Sequence, residues 1–580
     1  MLDANTVRVL YIDLGRREWR VDERPELARY LGGVGVAAKL FTEGLVPDAE
    51  ASAPEQPVVL GIGPLTTVFP LATKTAAVFR SPLTGEWGES YAGMRLAMAL
   101  RFAGYDAVYL TGRAQRPVYL VVGRDGVSFK DARGLWGLDC EETGRCLREW
   151  EQGRGFRSIV RIGPAGERGV AFAGVNVDTV RHFGRLGLGA VMGAKNLKAM
   201  VVHGEKSIPI PDRRAYRAVY EEIHARAVDT EVMEKYHGLG TAGNVLSLNA
   251  MGALPTRNLR ENRFEGAERI SGEAFAQKTL IRKLACPGCP VGCIHVGLYR
   301  RSFAEGHEYE SITLAYDYEL IYALGSFLGL SEPGDVYALI EAVEALGLDA
   351  ISSGVVLGWA TEALEKGLIH TADLGAELRF GDLDGYLAAL HGLVEQPTPL
   401  YAVLARGLHR ATAELGGRDF ACLLGNNEMA GYHTGYAFIL GQTVGARHSH
   451  LCNAGYALDQ EPGLGEDPEG VVDRLIAEEE WRNVLNSLGV CLFARNIYDP
   501  PTVVRTLNAL GVPAGAEDLA QLGAEIFDLK LAAKKRMGFD LSHVTVPRRY
   551  FETSTLQGTL REDVLGDLLS RYRARIAARA

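Results

Sequence analysis

The stretch Cys286-Pro-Gly-Cys289-Pro-Val-Gly-Cys293 constrains this chain more than any other. Three thiols at C-x2-C-x3-C spacing sit in a segment too rich in glycine and proline for the interior of a helix or strand. Pro287 and Pro290 stiffen the backbone, and Gly288 and Gly292 supply dihedrals that other residues resist. Thiols spaced in this way can surround one iron–sulfur cluster, with a distant cysteine at the fourth corner. Cys491, in Asn486-Ser-Leu-Gly-Val-Cys491, is the candidate for that corner. A structural zinc site is the alternative, but such sites pair two C-x2-C knuckles and no second knuckle exists here. Inert thiols are a third reading. The first reading implies electron transfer, and the rest of the chain must then supply what donates or receives the electrons.

At 580 residues the chain exceeds one ordinary core, and three domains is the length-based expectation. With 47% hydrophobic and 23% charged residues the composition is that of a globular protein. A net charge of −10 argues against binding nucleic acid by neutralising phosphates. Eight cysteines in this length do not make a disulfide scaffold, and four of them group as a cluster set, which suits a reducing compartment. The start, Met1-Leu-Asp-Ala-Asn-Thr-Val, has neither a basic nor an apolar leader, and Arg16-Arg17 is not followed by an apolar run. No apolar run reaches membrane-spanning length. The expectation is a cytoplasmic protein with no membrane segment.

The first two hundred residues read as strands: Val7–Leu14 and Glu18–Asp22 around a Gly-Arg-Arg turn, then Val58–Ile62, Ala107–Thr111, Val118–Val122, Ser158–Ile162, Val170–Ala173 and Ala199–His203. After Pro209-Ile-Pro211 helical periodicity dominates. Val336, Leu339, Ile340, Val343 and Leu346 form one apolar stripe, with Asp335 or Ser331 as cap and Gly347 as stop. A second helix is expected from Gly354 to about Lys366, a surface loop at 459–469, and helices from Asp473 onward broken by Pro500-Pro501. The fold class is α+β: a β-rich domain (1–208), a helical domain carrying the cysteine turn (209–415), and a helical C-terminal domain with the fourth cluster cysteine (416–580).

Gly32-Gly33-Val34-Gly35 lacks the G-x-G-x-x-G spacing of a dinucleotide loop, and no Walker lysine motif occurs. Other blocks carry more information. They are Pro64-Leu-Thr, Ser81-Pro-Leu-Thr-Gly85, Ser90-Tyr-Ala-Gly93, Ala103-Gly-Tyr-Asp106, Gly163-Pro-Ala-Gly-Glu167, Gly184-Arg-Leu-Gly-Leu-Gly-Ala-Val-Met-Gly193 and Lys195-Asn-Leu-Lys198. The cysteine turn follows, then Glu344-Ala-Leu-Gly-Leu-Asp349 and Asn486-Ser-Leu-Gly-Val-Cys491. In this order, over almost the whole chain, they resemble the tungsten-dependent aldehyde ferredoxin oxidoreductases.

The resemblance implies a β-rich saddle and two helical domains around a bis-pyranopterin tungsten centre, with molybdenum the less favoured metal. It further implies Mg2+ bridging the pterin phosphates and a 4Fe–4S cluster on Cys286, Cys289, Cys293 and Cys491. Pterin-contacting positions carry over to Lys74, Tyr91, Ala92, Gly93, Arg185, Leu186, Gly187, Glu344, Leu348, Asp349, Asn486, Gly489 and Val490. Glycines there let backbone amides approach phosphates and rings closely, and the carboxylates of Glu344 and Asp349 can accept bonds from pterin donors; helix-end capping is the bland reading of both. Lys74 stands where the family usually has an arginine, Tyr91 where it has asparagine, and Val34 where it has arginine. Glu344 and Asn486 replace aspartates. These departures mark a divergent branch.

Tyr318-Glu319-Leu-Ile-Tyr-Ala-Leu-Gly325 resembles the block whose glutamate faces the substrate. Burial among Leu320, Ile321 and Leu324 should raise the Glu319 pKa toward that of a general base. Glu308-Tyr309-Glu310 is a decoy with no A-L-G after it, so an insertion must lengthen the interval from the cysteines. His448, in Gly445-Ala-Arg-His448-Ser-His450, resembles the family's second proton-handling residue, with His450 and His433 as competitors; it would orient the substrate carbonyl. Glu221-Glu-Ile-His224 has metal-site spacing in the wrong segment and reads as a solvated helix face. The implied function is oxidation of an aldehyde to a carboxylic acid, with electrons leaving to ferredoxin or a small iron–sulfur subunit, from a homodimer or a larger complex. The alternatives are the catalytic subunit of a low-potential reductase acting on aromatic acyl-CoA or acids, and a non-catalytic electron-transfer subunit.

Overall fold

The computed structural model describes residues 6–304, 306, 308–375, 377–461 and 468–579. The expected loop at 459–469 lies in large part outside them. The chain forms two compact units, and it crosses from one to the other five times. The first comprises residues 1–234, 285–292 and 479–539; the second comprises 235–284, 293–478 and 540–580. This division differs from the boundaries expected at 209 and 416, because segments remote in sequence pack into each unit.

The first unit contains two six-stranded sheets. One has the order β2-β1-β6-β3-β4-β5, with β1 Val7–Asp13, β2 Glu18–Arg24, β3 Val58–Ile62, β4 Thr75–Arg80, β5 Trp87–Ala92 and β6 Ala107–Thr111. The other has the order β11-β10-β9-β12-β7-β8, with β7 Val118–Gly123, β8 Gly126–Asp131, β9 Phe156–Arg161, β10 Val175–Val177, β11 Arg181–Phe183 and β12 Leu197–Gly204. Pairing is antiparallel except for β1 with β6 and β7 with β12. The expected first hairpin forms in the register Asp13↔Glu18, and the Asp13 carboxylate accepts the turn amides of Gly15 and Arg16. The run 170–173 is a turn rather than a strand: Val170 N donates to Ala165 O and Ala173 N to Val170 O. Its apolar side chains are buried in spite of that, which is why periodicity misreads it.

Helix α1 (Gly33–Gly44) packs on β3 and β4, and α2 (Leu96–Ala103) on β9 and β12. Leu10, Leu60, Leu100, Val160 and Met200 belong to one continuous core reaching both sheets. Helix α3 (Arg213–Val228) leaves Glu221 and His224 exposed. The C-terminal piece of this unit contributes the helix Ala516–Arg536, whose Lys530 and Lys534 are buried. Lys530 pairs with Glu89 at 2.5 Å and Lys534 with Glu86 at 3.2 Å. Breaking either pair would leave a buried charge uncompensated.

The second unit is mostly helical, but an antiparallel sheet sits where only helices are expected: β13 Leu280–Leu284, β14 Ile294–Ala304 and β15 Glu308–Tyr316. The β14–β15 ribbon fills the interval between the cysteine turn and Glu319, and its outer half is exposed. Helices α4 (Tyr318–Leu324), α5 (Pro333–Leu346) and α6 (Ala350–Glu365) follow. The predicted stripe of α5 is buried throughout and Gly347 ends it at φ +76°. Neither Asp335 nor Ser331 caps it; Glu332 holds the cap position with Pro333 at the first turn, where a missing N–H costs nothing. Helix α6 starts four residues before the expected Gly354, because Asp349 caps it at Ile351 N, 3.0 Å. Pro500-Pro501 begins a helix rather than breaking one, with Asp499 accepting from Thr502 N at 2.9 Å. Among the described residues no helix is long and apolar enough to cross a membrane.

Candidate functional site

In the first unit three distant segments meet on the bare face of Gly93. Strand β5 ends at Ala92, and a Cβ placed on Gly93 would lie 2.8 Å from Cys286 Sγ, 3.4 Å from Lys74 Nζ and 3.8 Å from Arg181 Cγ. Only glycine leaves room for the thiol. Met94 N donates to Cys286 Sγ at 3.3 Å. Burial raises the Cys286 thiol pKa, but the charges of Lys74 and Arg181, the Met94 amide and the Thr73 hydroxyl outweigh it, and the net direction is down. A thiol that readily becomes a thiolate suits metal ligation.

The backbone of Leu71 fastens the cysteine segments together. Its N–H donates to Gly288 O at 3.3 Å and its carbonyl accepts from Cys491 N at 2.9 Å. Within the turn, Cys289 N donates to Cys286 O at 3.0 Å, and Gly288 has φ +76°. Lys74 N donates to Gly489 O at 3.0 Å, so the lysine and the Asn486–Cys491 motif share one backbone junction. Cys286, Cys289 and Cys491 thus belong to the first unit. Cys293 opens the next segment of the second unit, where its carbonyl faces His295 Nδ1 at 3.3 Å. Among the described residues no three His, Cys, Asp or Glu side chains close on a point that would hold a single metal ion.

The same junction carries buried polar atoms with no partner: the hydroxyls of Thr66, Thr67 and Thr75. Thr66 Oγ1 lies 2.9 Å from where a Cβ on Gly489 would be, and Gly489 has φ +77°. Unsatisfied buried hydroxyls cost free energy, so the loop suits a ligand rich in donors and acceptors, as a pterin is. Ser81 Oγ donates to Leu186 O at 2.8 Å, tying the first glycine-rich stretch to the second. Leu186 and Gly187 both have positive φ, and Arg185 beside them is half-buried. Tyr91 donates to Glu89 at 2.6 Å, and Glu89 pairs with Lys530. Ala92 and Val490 are buried, and Asn486 lies 6% exposed near the end of the helix Pro468–Ser487. The residues present therefore fit a pterin beside an iron–sulfur cluster.

In the second unit Glu319 lies in the first turn of α4, which Asp317 caps at Leu320 N, 3.2 Å. Tyr432 donates to Glu319 Oε1 at 2.9 Å, and His450 Nε2 is 3.6 Å from the same oxygen. Rings of Tyr432, Tyr456 and His450 pack together, with Tyr432 stacked on Tyr456 at 4.5 Å between centroids. A quarter of the Glu319 side chain stays exposed while His450 is 4% exposed. The expected rise in its pKa is reversed. Burial is the largest influence and does raise it, but the hydrogen bonds and charge of His450, with the Tyr432 hydroxyl, bring the net direction below the ordinary carboxylate value. That direction favours the ionised carboxylate.

The histidine beside Glu319 is His450, one of the two competitors of His448. His448 sits at φ +49° with Nδ1 2.8 Å from Thr443 O, so Nδ1 carries the proton, and its ring covers Gly425. His433 is fully buried, gives Nε2–H to Thr553 O at 2.9 Å, and is pushed down to about 4 by burial. The decoy Glu310 lies on the exposed ribbon, paired with Arg301. Glu344 is half-buried on α5 and Leu348 is buried after it. Asp349 spends lone pairs on Ile351 N and on the Ser352 hydroxyl, 2.6 Å, as the bland reading requires. Sequence reasoning missed Tyr432, whose only signal was its place directly after Ala430-Gly431, and Arg181, which carries none.

Residues 9–204 match the family description "Aldehyde ferredoxin oxidoreductase, N-terminal domain", and residues 218–575 match "Aldehyde ferredoxin oxidoreductase, domains 2 & 3". The tungsten-containing aldehyde ferredoxin oxidoreductase of Thermococcus kodakarensis is 32% identical over 98% of this chain and 95% of its own length. The aliphatic sulfonate oxidoreductase, WOR-like subunit, of Pyrococcus furiosus is 31% identical over 70% of this chain and 67% of its own. Among solved structures, a chain of the BamBC active-site complex of benzoyl coenzyme A reductase has the same fold. It gives a TM-score of 0.82 at 21% identity, over 99% of this chain and 94% of that one.

Proposed function

The chain belongs to the aldehyde ferredoxin oxidoreductase family, and from that premise we propose that it oxidises an aldehyde and water to a carboxylic acid, releasing two protons and two electrons to ferredoxin. When bound, a tungsten bis-pterin centre would supply the two-electron acceptor and a 4Fe–4S cluster the one-electron relay. Thr66, Thr75 and the Lys74–Gly489 backbone junction would hold the pterin, with Mg2+ at its phosphates. Cys286, Cys289, Cys293 and Cys491 would hold the cluster. Glu319 takes the proton from the attacking water, and Tyr432 and His450 keep it ionised until then.

The observation that carries this reading is Glu319 itself, a carboxylate held below its ordinary pKa by two donors while a quarter of its side chain stays open. Protein made in tungstate medium should hold about four irons and one tungsten per chain and reduce a viologen, and then ferredoxin, with an aldehyde. Zinc as the only stoichiometric metal would defeat the proposal. Cys491→Ala should lose the cluster while the β-rich unit stays folded.

A second reading, the catalytic subunit of a larger assembly, draws on the relative whose name is that of a subunit. A stable companion protein, together with an isolated chain unable to reduce ferredoxin, would favour it.

A further inference from the structure

We propose that Arg181 is a second fixed cation beside the cluster cysteines, acting with Lys74 to raise the reduction potential of the iron–sulfur cluster. The inference rests on the cluster reading above and concerns a residue to which neither the motifs nor the family resemblance gives a part.

The geometry is local to the first unit. Arg181 opens β11, opposite Val177 in β10, and its side chain runs along Gly93. The Cys286 thiol and the Lys74 ammonium approach the same glycine, at 2.8 and 3.4 Å from the position a Cβ would take. The Arg181 guanidinium also donates to Val180 O at 3.2 Å, just before its own strand. Lys74 Nζ and the Arg181 side chain thus share with Cys286 Sγ the space that Gly93 leaves open. The Met94 amide adds a hydrogen bond to that sulfur.

Reduction adds one electron and no proton to a cluster that already carries thiolate charge. The chain as a whole has a net charge of −10, which opposes that addition. Cations and amides directed at a ligand sulfur favour the reduced form and raise the potential. A lysine at position 74 is a compact point charge without the planar fork of arginine, and Arg181 brings a second cationic side chain past the same glycine from another strand.

The test is a redox titration of the reconstituted holoprotein followed by electron paramagnetic resonance. Arg181→Gln should shift the cluster midpoint to more negative potential with iron content unchanged, and Arg181→Lys should restore most of the shift. Lys74→Gln should move the midpoint in the same direction, and the double variant further. Arg133→Gln, which removes an exposed arginine paired with Asp131, should leave it in place. An intact cluster with an unmoved midpoint in Arg181→Gln overturns the proposal, as do equal shifts in Arg181→Gln and Arg133→Gln. Loss of iron in both Arg181→Gln and Arg181→Lys would make the residue structural and overturn it too. An unmodified protein that binds no cluster at all would overturn the cluster reading itself, and this proposal with it.

Discussion

Tyr432→Phe tests the geometry around Glu319 with least collateral damage. The ring packs on Tyr456 and His450 and is buried, so phenylalanine keeps the packing and removes only the hydroxyl. That hydroxyl donates to Glu319 Oε1 at 2.9 Å. A hydrogen bond to a charged group is worth roughly 1.5–3 kcal/mol. Divided by about 1.36 kcal/mol per pKa unit, its loss should raise the Glu319 pKa by about one to two units. His450, 3.6 Å away, continues to favour the carboxylate. Glu319 must be ionised to accept a proton, so activity is lost wherever the higher pKa leaves it protonated. The acid limb of kcat/KM against pH, measured with a viologen acceptor, should therefore move up by about one to two units. The alkaline plateau should fall by less than about tenfold. An isotope-edited infrared titration of the carboxylate band gives the same shift without turnover. An unmoved acid limb together with an unmoved band would show that the Tyr432 hydroxyl does not hold Glu319 in its charged form, and the account of the base would fail.

Glu319→Gln should leave metal content normal and lower turnover by about 10²-fold or more, whereas Glu310→Gln, on the exposed ribbon, should match the unmodified enzyme; reversed results would move the site to Glu310. Gly93→Ala pushes a methyl against Cys286 Sγ, and such overpacking costs about 1–3 kcal/mol; bound iron should fall, and full iron with an unchanged melting temperature would show that the thiol has room to move. His433 is depressed in the folded state to about 4 from an ordinary 6.5. Its contribution, about 3 kcal/mol, is fully present above pH 6.5 and lost as the pH falls toward 4. Denaturant unfolding at pH 7.5 and 5 should show this loss in the unmodified protein and a flatter dependence in His433→Phe; equal slopes would contradict it.

Much of the site was legible because its signals are local. The cysteine turn is recognisable from spacing and from glycines that take positive φ, and Gly288 and Gly292 do so. The stripe of α5 and the β1–β2 hairpin follow from periods of 3.6 and 2. The α+β class was legible for the same reason. The β14–β15 ribbon was not, because half of it is exposed and its pattern imitates neither period cleanly.

The amino-acid sequence by itself determined which chemistry this chain can host: four cysteines in motif context, glycine-rich stretches in family order, and a glutamate at a helix start. Tertiary structure decided which side chains stand beside one another. His448 and His450 are two residues apart and equal as text, yet one bonds Thr443 O and the other faces Glu319. The pKa of Glu319 is lowered by His450 and then by Tyr432, which lies 113 residues away in sequence. Lys530 and Lys534 lie one helical turn apart and are buried against Glu89 and Glu86. Lys74, Gly93, Arg181 and Cys286 meet only because β4, β5, β11 and the cysteine turn converge. Charge and hydrogen bonding depend on distance through space, which spacing along the chain does not encode.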